Sequence, residues 1–215
     1  MIKKTLIAIG VVLTIIVMYY TVVIINARVD TPDIVHQALT SDRMKLELTD
    51  LSDEQLKALL KIQDPNFYNH NGFDFSTPGA GVTTISQGLV KMYYFEKFKP
   101  GIQKIKQTLI ARFAFDNLTP KDTILKLFIN EVYLGENEGH TIKGFENASG
   151  SYFKKPFKDL TWDEYFSIVG MIRAPLTYHY VKNRVANLDR VSKIKRMLAG
   201  KYIPIDNGDW LYDRK

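Results

Sequence analysis

The sequence predicts a mostly α-helical domain that follows an N-terminal transmembrane helix. Two observations predict this class: an uncharged run at residues 5–27, and apolar residues at helical spacing that Pro, Gly and capping residues separate along the remaining chain. The period-two alternation typical of strands is nearly absent. With 215 residues, 46% of them hydrophobic, the chain is long enough for one domain with its own core and too apolar for a disordered chain.

The uncharged run is long enough to cross a bilayer. As a helix it extends about 35 Å, whereas the hydrocarbon core of a bilayer is about 30 Å thick. The run exceeds the apolar part of a signal peptide and no A-x-A-like cleavage site follows it, so we expect a retained anchor rather than a cleaved signal or a buried core helix. Lys3 and Lys4 precede the run and place the N-terminus in the cytoplasm, with the domain across the membrane.

The remaining chain is expected to form one domain between a connector and a tail. The boundaries are residues 1–27 for the cytoplasmic flank and anchor, 28–50 for the connector, 51–200 for the domain and 201–215 for the tail. Ser52 is expected to cap the first amphipathic helix of the domain. Turn-forming residues then fill the stretch at 64–81.

Further helices follow, separated by clear breaks. They are expected at 83–98, 102–115, from 120 onward, 144–153, 161–172 and 183–199, with a Gly-rich passage at 135–144. Thr119 is expected to cap the third of these helices, with Pro120 at its first position. Thr161 and Glu164 form a capping-box pattern for the fifth.

Composition excludes several kinds of chemistry. The chain contains no cysteine, which excludes disulfides, Cys-ligated zinc and a thiol nucleophile. His140 and His179 lack the spacing of a metal site, so no metal ligand is assigned. The formal charge of +6 favours an anionic partner, and residues 91–112 contain much of the basic excess. Their basic members are Lys91, Lys97, Lys99, Lys104, Lys106 and Arg112, against Glu96 alone.

Four motif-like segments follow one another between residues 63 and 178. They read QDPNFYNHNGFD at 63–74, GVTTISQGLVK at 81–91, KIKQ at 104–107 with ILKLFINEVYLG at 124–135, and YFKK at 152–155 with APLTY at 174–178. In this order they resemble E-D-x-x-F-x-x-H-x-G-x-D, G-G-S-T-I-T-Q-Q-L-V-K, R-K-x-K-E with I-L-x-x-Y-L-N-x-x-Y-x-G, and Y-F-G-K with A-P-S-x-Y. These motifs belong to glycosyltransferase family 51, the peptidoglycan glycosyltransferases. The chain resembles a divergent monofunctional biosynthetic transglycosylase of this family.

The resemblance implies a lysozyme-like helical fold and a substrate. Family members polymerise lipid II: the 4-hydroxyl of an acceptor attacks C1 of a donor, a lipid pyrophosphate leaves, and inversion gives a β-1,4 linkage. It further implies a single-pass protein of the bacterial cytoplasmic (inner) membrane with an extracytoplasmic domain. The implied partners are the lipid-linked peptidoglycan precursor or a glycan strand, and other cell-wall synthesis proteins, but no nucleic acid. No cofactor is certain, and a family-like divalent cation at the pyrophosphate stays open.

Two departures from the family pattern fall on its catalytic positions. The general base of the first motif, a glutamate, is Gln63 here, and the glutamate of the third motif, which assists at the leaving group, is Gln107. A neutral amide has no basic form near pH 7, and general acid–base catalysis typically contributes about 10²–10⁴ in rate. We therefore expect a protein that binds lipid II or nascent glycan but polymerises it poorly or not at all.

The remaining site residues are carried over from the family motifs. Those expected to bind substrate are Thr83, Thr84, Gln87, Lys91, Lys99 and Lys106. Those expected to support the site are Phe67, His70, Gly72 and Asn130. Ammonium groups and hydroxyls bind a diphosphate through charge-assisted hydrogen bonds, which require no catalytic base.

Two alternative functions stay open at this point. One is an active, divergent polymerase that forms β-1,4 glycan chains from lipid II with Asp64 or Asp74 as the base. The other is a non-catalytic module whose basic surface contacts anionic lipid. The connection between Asp74 and Gly81 is also shorter than the mobile flap that family members usually carry there.

Overall fold

A single helix of 38 residues, α1 (Ile2–Leu39), begins the fold in the computed structural model, which describes residues 2–214. Apolar side chains of its N-terminal part are exposed, and it is long and apolar enough to cross a membrane. The sequence predicts a connector from residue 28, whereas the helix continues to Leu39. It continues because Ala27, Thr31 and Ala38 are buried against the domain, where α1 packs on the helical segment at 102–118.

The domain contains eight further α-helices among the described residues. They are α2 (Asp53–Gln63), α3 (Ile85–Tyr93), α4 (Ile102–Ile110), α5 (Asp116–Leu118), α6 (Lys121–Glu131), α7 (Phe145–Phe153), α8 (Trp162–Met171) and α9 (Arg184–Leu198). A π-helical turn, Ala111–Phe115, joins α4 to α5, and 3₁₀ turns lie at Leu48–Asp50 and Phe157–Asp159. The predicted helical fold class is confirmed.

Capping explains where several helices begin. The Ser52 hydroxyl accepts a hydrogen bond from the Gln55 amide at 3.2 Å, and Thr161 forms the predicted capping box with Glu164, so both predictions are confirmed. The prediction for Thr119 is wrong. Its hydroxyl is buried without a partner, and Pro120 occupies the N-cap with an extended ψ of 143° instead of the first helical position.

A β-hairpin lies where the sequence predicts only a Gly-rich passage. Strands β1 (Tyr133–Asn137) and β2 (His140–Lys143) pair antiparallel, with Asn137 opposite His140 and an irregularity between Tyr133 and Glu136. The two-residue loop, Glu138 and Gly139, has positive φ at both positions, which is the geometry that suits a tight hairpin. The strand pattern was hidden because the irregularity shifts the side-chain alternation.

The core surrounds α6, whose predicted apolar face is confirmed. Its buried residues include Ile124, Leu125, Leu127, Phe128 and Ile129. Helices α3 and α7 contact α6, and α7 also contacts α8. The tail also belongs to the folded domain: Tyr212 is fully buried, and the Arg190 guanidinium donates to the carbonyl oxygens of Trp210 and Leu211 at 2.8 and 3.2 Å.

Candidate functional site

The first three motifs meet where the C-terminal end of α2, the N-terminal end of α3 and one face of α4 come together. We call this region the site. Gln63 is the last residue of α2, Gln87 lies in the first turn of α3, and Gln107 lies on the face of α4 that contacts α3. All three side chains are buried. The structure thus brings the two family glutamate positions into one packed region.

Asp64 connects α2 to α3. One carboxylate oxygen accepts the Ile85 amide proton at 3.0 Å, at the N-terminus of α3, and the other lies 2.8 Å from His70 Nε2. His70 Nδ1 accepts the Gly72 amide proton at 3.1 Å, so the ring proton is on Nε2 and is donated to Asp64. A carboxylate at a helix N-terminus stabilises the helix through its dipole. Asp64 is only 1% exposed and is structural in this arrangement.

Gln63 uses its amide to bind the end of another helix. Its Nε2 donates at 3.1 Å to the carbonyl oxygen of Val169, one of the last carbonyls of α8, which have few partners within the helix. Its own backbone carbonyl accepts from Arg173 Nη2 at 3.0 Å. The residue is 5% exposed. The end of this side chain that faces the Val169 carbonyl must therefore be a hydrogen-bond donor, because the carbonyl oxygen is an acceptor.

Gln107 makes the corresponding contact between α4 and α3. Its Nε2 donates to the Gln87 carbonyl oxygen at 2.6 Å, and its Oε1 is buried without a hydrogen-bond partner. The residue is 1% exposed. Both glutamines thus contact a backbone carbonyl of a neighbouring helix through the N–H groups that a carboxylate lacks.

Thr84 and Gln87 are occupied by bonds within the protein. They form a capping box at the start of α3, in which the Thr84 hydroxyl accepts the Gln87 amide proton. The same hydroxyl donates to the Gly72 carbonyl at 2.8 Å, and Gln87 Nε2 donates to the Thr108 hydroxyl at 2.8 Å. Thr83 is exposed, so its hydroxyl is the accessible one of the two threonines.

Lys104 is the lysine closest to these groups, and the set of binding residues carried over from the motifs did not include it. Its Nζ lies 3.2 Å from the Thr83 hydroxyl and 3.5 Å from Gln87 Oε1. Burial lowers the pKa of the Lys104 ammonium, and the nearby charge of Lys91 lowers it further. The helical spacing of Lys104, Gln107 and Thr108 is the sequence signal that places them on one face of α4.

Of the three predicted lysines, Lys91 interacts electrostatically with Lys104, whereas Lys106 lies on another side of α4. The Lys106 ammonium lies 6.0 Å from the ring of Tyr19 on α1, because two positions along a helix turn the side chain by about 200°. The Lys91 ammonium lies 5.5 Å from the Phe98 ring, and Lys99 is exposed. Lys91 and Lys104 form the basic pair of the site, while Lys106 faces the anchor.

The other two aspartates near the site, Asp74 and Asp116, accept hydrogen bonds from neighbouring groups of the protein. Asp74 accepts the amide and hydroxyl hydrogens of both Ser76 and Thr77. Burial raises the pKa of the Asp74 carboxyl, but these four hydrogen bonds outweigh it and hold the pKa well below its usual range. Asp116 accepts from the Ser86 hydroxyl and from Lys121 Nζ, the latter at 2.9 Å. Both carboxylates are therefore held by hydrogen bonds within the protein.

The predicted supporting residues fix the surroundings of the site. Lys121 lies 4.6 Å from the ring of the buried Phe67. Gly72 has a φ of 87°, and a Cβ there would lie 2.5 Å from the carbonyl oxygen of Ala111 in the π-helical turn. Asn130 accepts the amide protons of Lys45 and Leu46 and donates back to the Leu46 carbonyl, which attaches this segment to α6.

The donor set of the site suits an anion. The accessible groups are the ammonium groups of Lys91 and Lys104 and the hydroxyl of Thr83. A divalent cation requires carboxylate or carbonyl oxygens, and the carboxylates of Asp64 and Asp74 are already bonded within the protein. The residues present therefore do not fit the family-like cation, and no step is assigned to one. Among residues 2–214, no group of three His, Asp or Glu side chains has the arrangement of a metal site.

Comparison with known proteins identifies one family. The profile of the family described as Transglycosylase matches residues 32–199. Penicillin-binding protein 1B of Buchnera aphidicola is 32% identical over 149 residues, which cover 63% of this chain and 20% of the relative. Penicillin-binding protein 1A of Vibrio cholerae is 31% identical over 176 residues, covering 75% and 21%. Penicillin-binding protein 1B of Escherichia coli is 30% identical over 164 residues, covering 70% and 19%.

The matched region contains every motif described above and most of the helical domain. The chain spans about one fifth of the length of these relatives. The family profile covers most of this chain, and the order of the motifs agrees with it. The chain therefore belongs to the transglycosylase family, glycosyltransferase family 51.

Proposed function

We propose that this domain is a membrane-anchored transglycosylase homologue that binds the diphosphate of lipid II, or nascent glycan, and polymerises glycan poorly or not at all. One observation carries the proposal: at both family glutamate positions a neutral amide donates to a backbone carbonyl. Such a group holds two helices together and accepts no proton from an attacking hydroxyl.

The neighbouring carboxylates support this conclusion. An active polymerase without the two glutamates would need another base, and Asp64 and Asp74 are the candidates in the motifs. The two oxygens of Asp64 are held by Ile85 and His70, and Asp74 has a lowered pKa and four hydrogen bonds. A carboxylate stabilised in its ionised form, as Asp74 is, is a weak base, and both oxygens of Asp64 are occupied by structural hydrogen bonds, so we assign neither as a replacement for Gln63.

The binding part of the proposal rests on the Lys104 side of the site. A groove of about 300 Å³ lies there, lined by Phe75, Ile105, Leu109 and the stems of Thr108 and Lys104. Lys104 lines this otherwise mostly apolar groove, and the charge of Lys91 is close enough to act on the Lys104 ammonium. A lipid diphosphate carries both matching features, a double anion and an apolar chain.

The anchor supports a substrate that is itself in the membrane. Arg28 Nη1, at the end of the uncharged run, donates to the Phe113 carbonyl at 2.5 Å and to Asn117 Oδ1 at 2.9 Å. The domain is thus attached directly to the helix that we assign to the bilayer. A lipid-linked ligand would meet the domain without leaving the membrane.

Binding is tested with lipid II in vesicles and the full chain. We expect Lys91→Ala with Lys104→Ala to weaken binding at least about tenfold, since a hydrogen bond to a charged group contributes about 1.5–3 kcal/mol. Lys106→Ala is the control, because it removes one positive charge, where the double variant removes two, from the opposite face of α4 and should change affinity less than about twofold. Equal affinity of the double variant and the wild type would contradict the proposed site.

Catalysis is tested by incubating the purified wild type with lipid II and separating the products. We expect no glycan chains. Chain formation that disappears in Asp64→Asn or Asp74→Asn would instead establish the divergent polymerase. Chains formed by Gln63→Glu with Gln107→Glu, but not by the wild type, would locate the loss of activity in the two amides.

The second candidate function is a non-catalytic module that binds anionic lipid at the membrane surface. Exposed side chains on the α4 side of the domain favour it. Ile102, Ile105 and Phe113 are exposed on the segment that packs against α1, and Lys97 and Lys99 precede it. Binding to anionic vesicles that falls steeply with salt and is unaffected by lipid II would support this candidate over the first.

A further inference from the structure

The C-terminal segment at 201–214 is hydrogen-bonded to the loop at 77–81, which joins the first two motifs. The Gly79 amide donates to the Asp206 carbonyl at 2.9 Å, and the Gly81 amide donates to the Asn207 carbonyl at 2.7 Å. Asn207 Nδ2 returns a hydrogen bond to the Thr77 carbonyl at 3.2 Å. The loop and the segment therefore pair backbone to backbone along two residues each.

The two glycines of the loop show how close this approach is. Gly79 and Gly81 both have positive φ, of 76° and 69°. A Cβ on Gly79 would lie 2.9 Å from Pro204 Cγ, and a Cβ on Gly81 would overlap Arg173 Nη1. Only glycine allows the loop to fit between the C-terminal segment and Arg173.

Arg173 extends this contact to the site. Its Nη2 donates to the Ala80 carbonyl in the loop and to the Gln63 carbonyl at the end of α2. The ring of Trp210 lies 5.6 Å from its guanidinium carbon. Tyr212 also donates to the carbonyl of Ile62, the residue before Gln63, at 3.2 Å. The C-terminal segment thus contacts the backbone before Gln63 directly, through Tyr212, and the Gln63 carbonyl indirectly, through Arg173.

The far side of the segment is held by α9. Arg196 Nη2 donates to the Tyr212 carbonyl at 3.0 Å, and Arg190 binds the two preceding carbonyls. The loop, in contrast, has few other bonds: the Ala80 amide donates to the Thr77 carbonyl at 3.2 Å, and Thr77 at its start donates to Asp74. Opening would therefore separate the loop from the segment, while the segment stays on α9.

We propose that residues 201–214 form a strap that holds the 77–81 loop closed over the Gln63 side of the site, and that this side opens when loop and strap separate. The strap supplies most of the backbone hydrogen bonds that hold the loop in place. Local opening of this kind requires only the loop contacts to break and leaves the core intact. The proposal concerns access to the site and does not depend on which ligand enters it.

Thiol labelling tests the strap directly, because the chain contains no cysteine. Ala80 is 4% exposed, so the thiol of Ala80→Cys should react slowly with a maleimide in the full chain. Asn207→Ala with Trp210→Ala removes the contacts to Thr77 and Arg173, and the ring contact of Trp210 with Arg190, while the Arg190 bonds to the Trp210 and Leu211 carbonyls and the buried Tyr212 are retained. We expect this strap variant to speed labelling at position 80 at least about tenfold.

Two controls separate loop opening from general loss of structure. Ala148→Cys, fully buried on α7, reports global unfolding, so the measured quantity is the ratio of the two labelling rates. Asn183→Ala with Trp162→Ala removes a similar asparagine-to-backbone bond and an exposed tryptophan away from the strap. The ratio should rise in the strap variant and stay constant in the control variant. An unchanged ratio in the strap variant, or an equal rise in both, overturns the proposal.

Discussion

At the scale of single residues, Gln63 and Gln107 differ from glutamate in the direction of one hydrogen bond. Each amide donates to a carbonyl oxygen, at 3.1 Å from Val169 and 2.6 Å from Gln87. A carboxylate in the same place would set two acceptors against each other. At Gln63 it would also lie at the C-terminal end of α8, where the helix dipole repels negative charge.

We therefore predict that Gln63→Glu lowers the free energy of unfolding by about 1–3 kcal/mol at neutral pH. The carbonyl contact raises the folded-state pKa of the new carboxyl above its unfolded-state value of about 4.3, so the loss should shrink as pH falls through the raised value and should be gone below about pH 4, where the group is protonated in both states. Denaturant unfolding in detergent, at neutral and at acidic pH, measures this loss in the free energy of unfolding.

Gln55→Glu is the matched control for this change. Gln55 Oε1 accepts the Ser52 amide proton at 2.8 Å in a capping box, and a carboxylate accepts it equally well. The control should retain wild-type stability. If Gln63→Glu were as stable as Gln55→Glu at neutral pH, the role of the amide as a donor would be refuted.

Asp74 provides a prediction for the acidic range. Its folded-state pKa is lowered by the Ser76 and Thr77 hydrogen bonds, so its contribution to stability is present above the unfolded-state pKa of about 3.9 and is lost as pH falls through the folded-state value. Asp74→Asn should therefore be less stable than the wild type at pH 7, and the difference should decrease below about pH 4. A difference that is constant from pH 7 to pH 3 would contradict this assignment.

The positions of the key residues could be predicted from the sequence, but their contacts could not. Motif register identified Gln63 and Gln107 as the family glutamate positions, but it did not predict the contact between Asp64 and His70. The direction of each amide depends on Val169 and on the Gln87 carbonyl, which are distant in sequence or are backbone groups. Motif register also favoured Lys106 over Lys104, because it does not distinguish the two sides of α4.

At the scale of elements, Gly72 and the π-helical turn depend on each other. The turn at Ala111–Phe115 brings the Ala111 carbonyl against the Cα of Gly72. We predict that Gly72→Ala lowers the free energy of unfolding by more than about 2 kcal/mol, since it adds both a clash and a strained φ. Thermal unfolding measured by circular dichroism checks this.

Gly88→Ala is the control for Gly72→Ala. Gly88 lies within α3, and nothing lies within 4 Å of a Cβ placed there. Alanine in a helix interior is favoured over glycine by about 0.5–1 kcal/mol, so this variant should be slightly more stable than the wild type. Equal destabilisation by both substitutions would show that the Ala111 contact is unimportant.

Elements with local signals could be predicted, and elements that depend on tertiary packing could not. The capping residues Ser52 and Thr161 located the starts of α2 and α8. The sequence breaks at Pro100-Gly101 and Thr119-Pro120 separated the helices between them. The extension of α1 to Leu39 has no local signal, because Pro32 lies inside it and only burial of Thr31 and Ala38 against the domain explains it.

At the scale of the whole molecule, the anchor and the domain form one packed unit. The buried Thr31 hydroxyl lies 2.7 Å from the Tyr94 hydroxyl of the domain and donates to the Ala27 carbonyl. We predict that Thr31→Val, which keeps the shape and removes the hydroxyl, lowers the free energy of unfolding by about 1 kcal/mol. Thr21→Val is the control, because the Thr21 hydroxyl donates only along α1, to Val17. Equal stability of the two variants in detergent would contradict a shared interface.

The unbroken course of α1 past Ala27 also determines which way the domain faces. Each residue of an α-helix turns the chain by about 100° and advances it by about 1.5 Å. Adding one residue to the membrane-spanning part would therefore rotate the whole domain by more than a quarter of a circle, with hardly any change in height. The number of residues in the span thus sets the rotation of the Lys104 groove about the helix axis relative to the N-terminal end of α1.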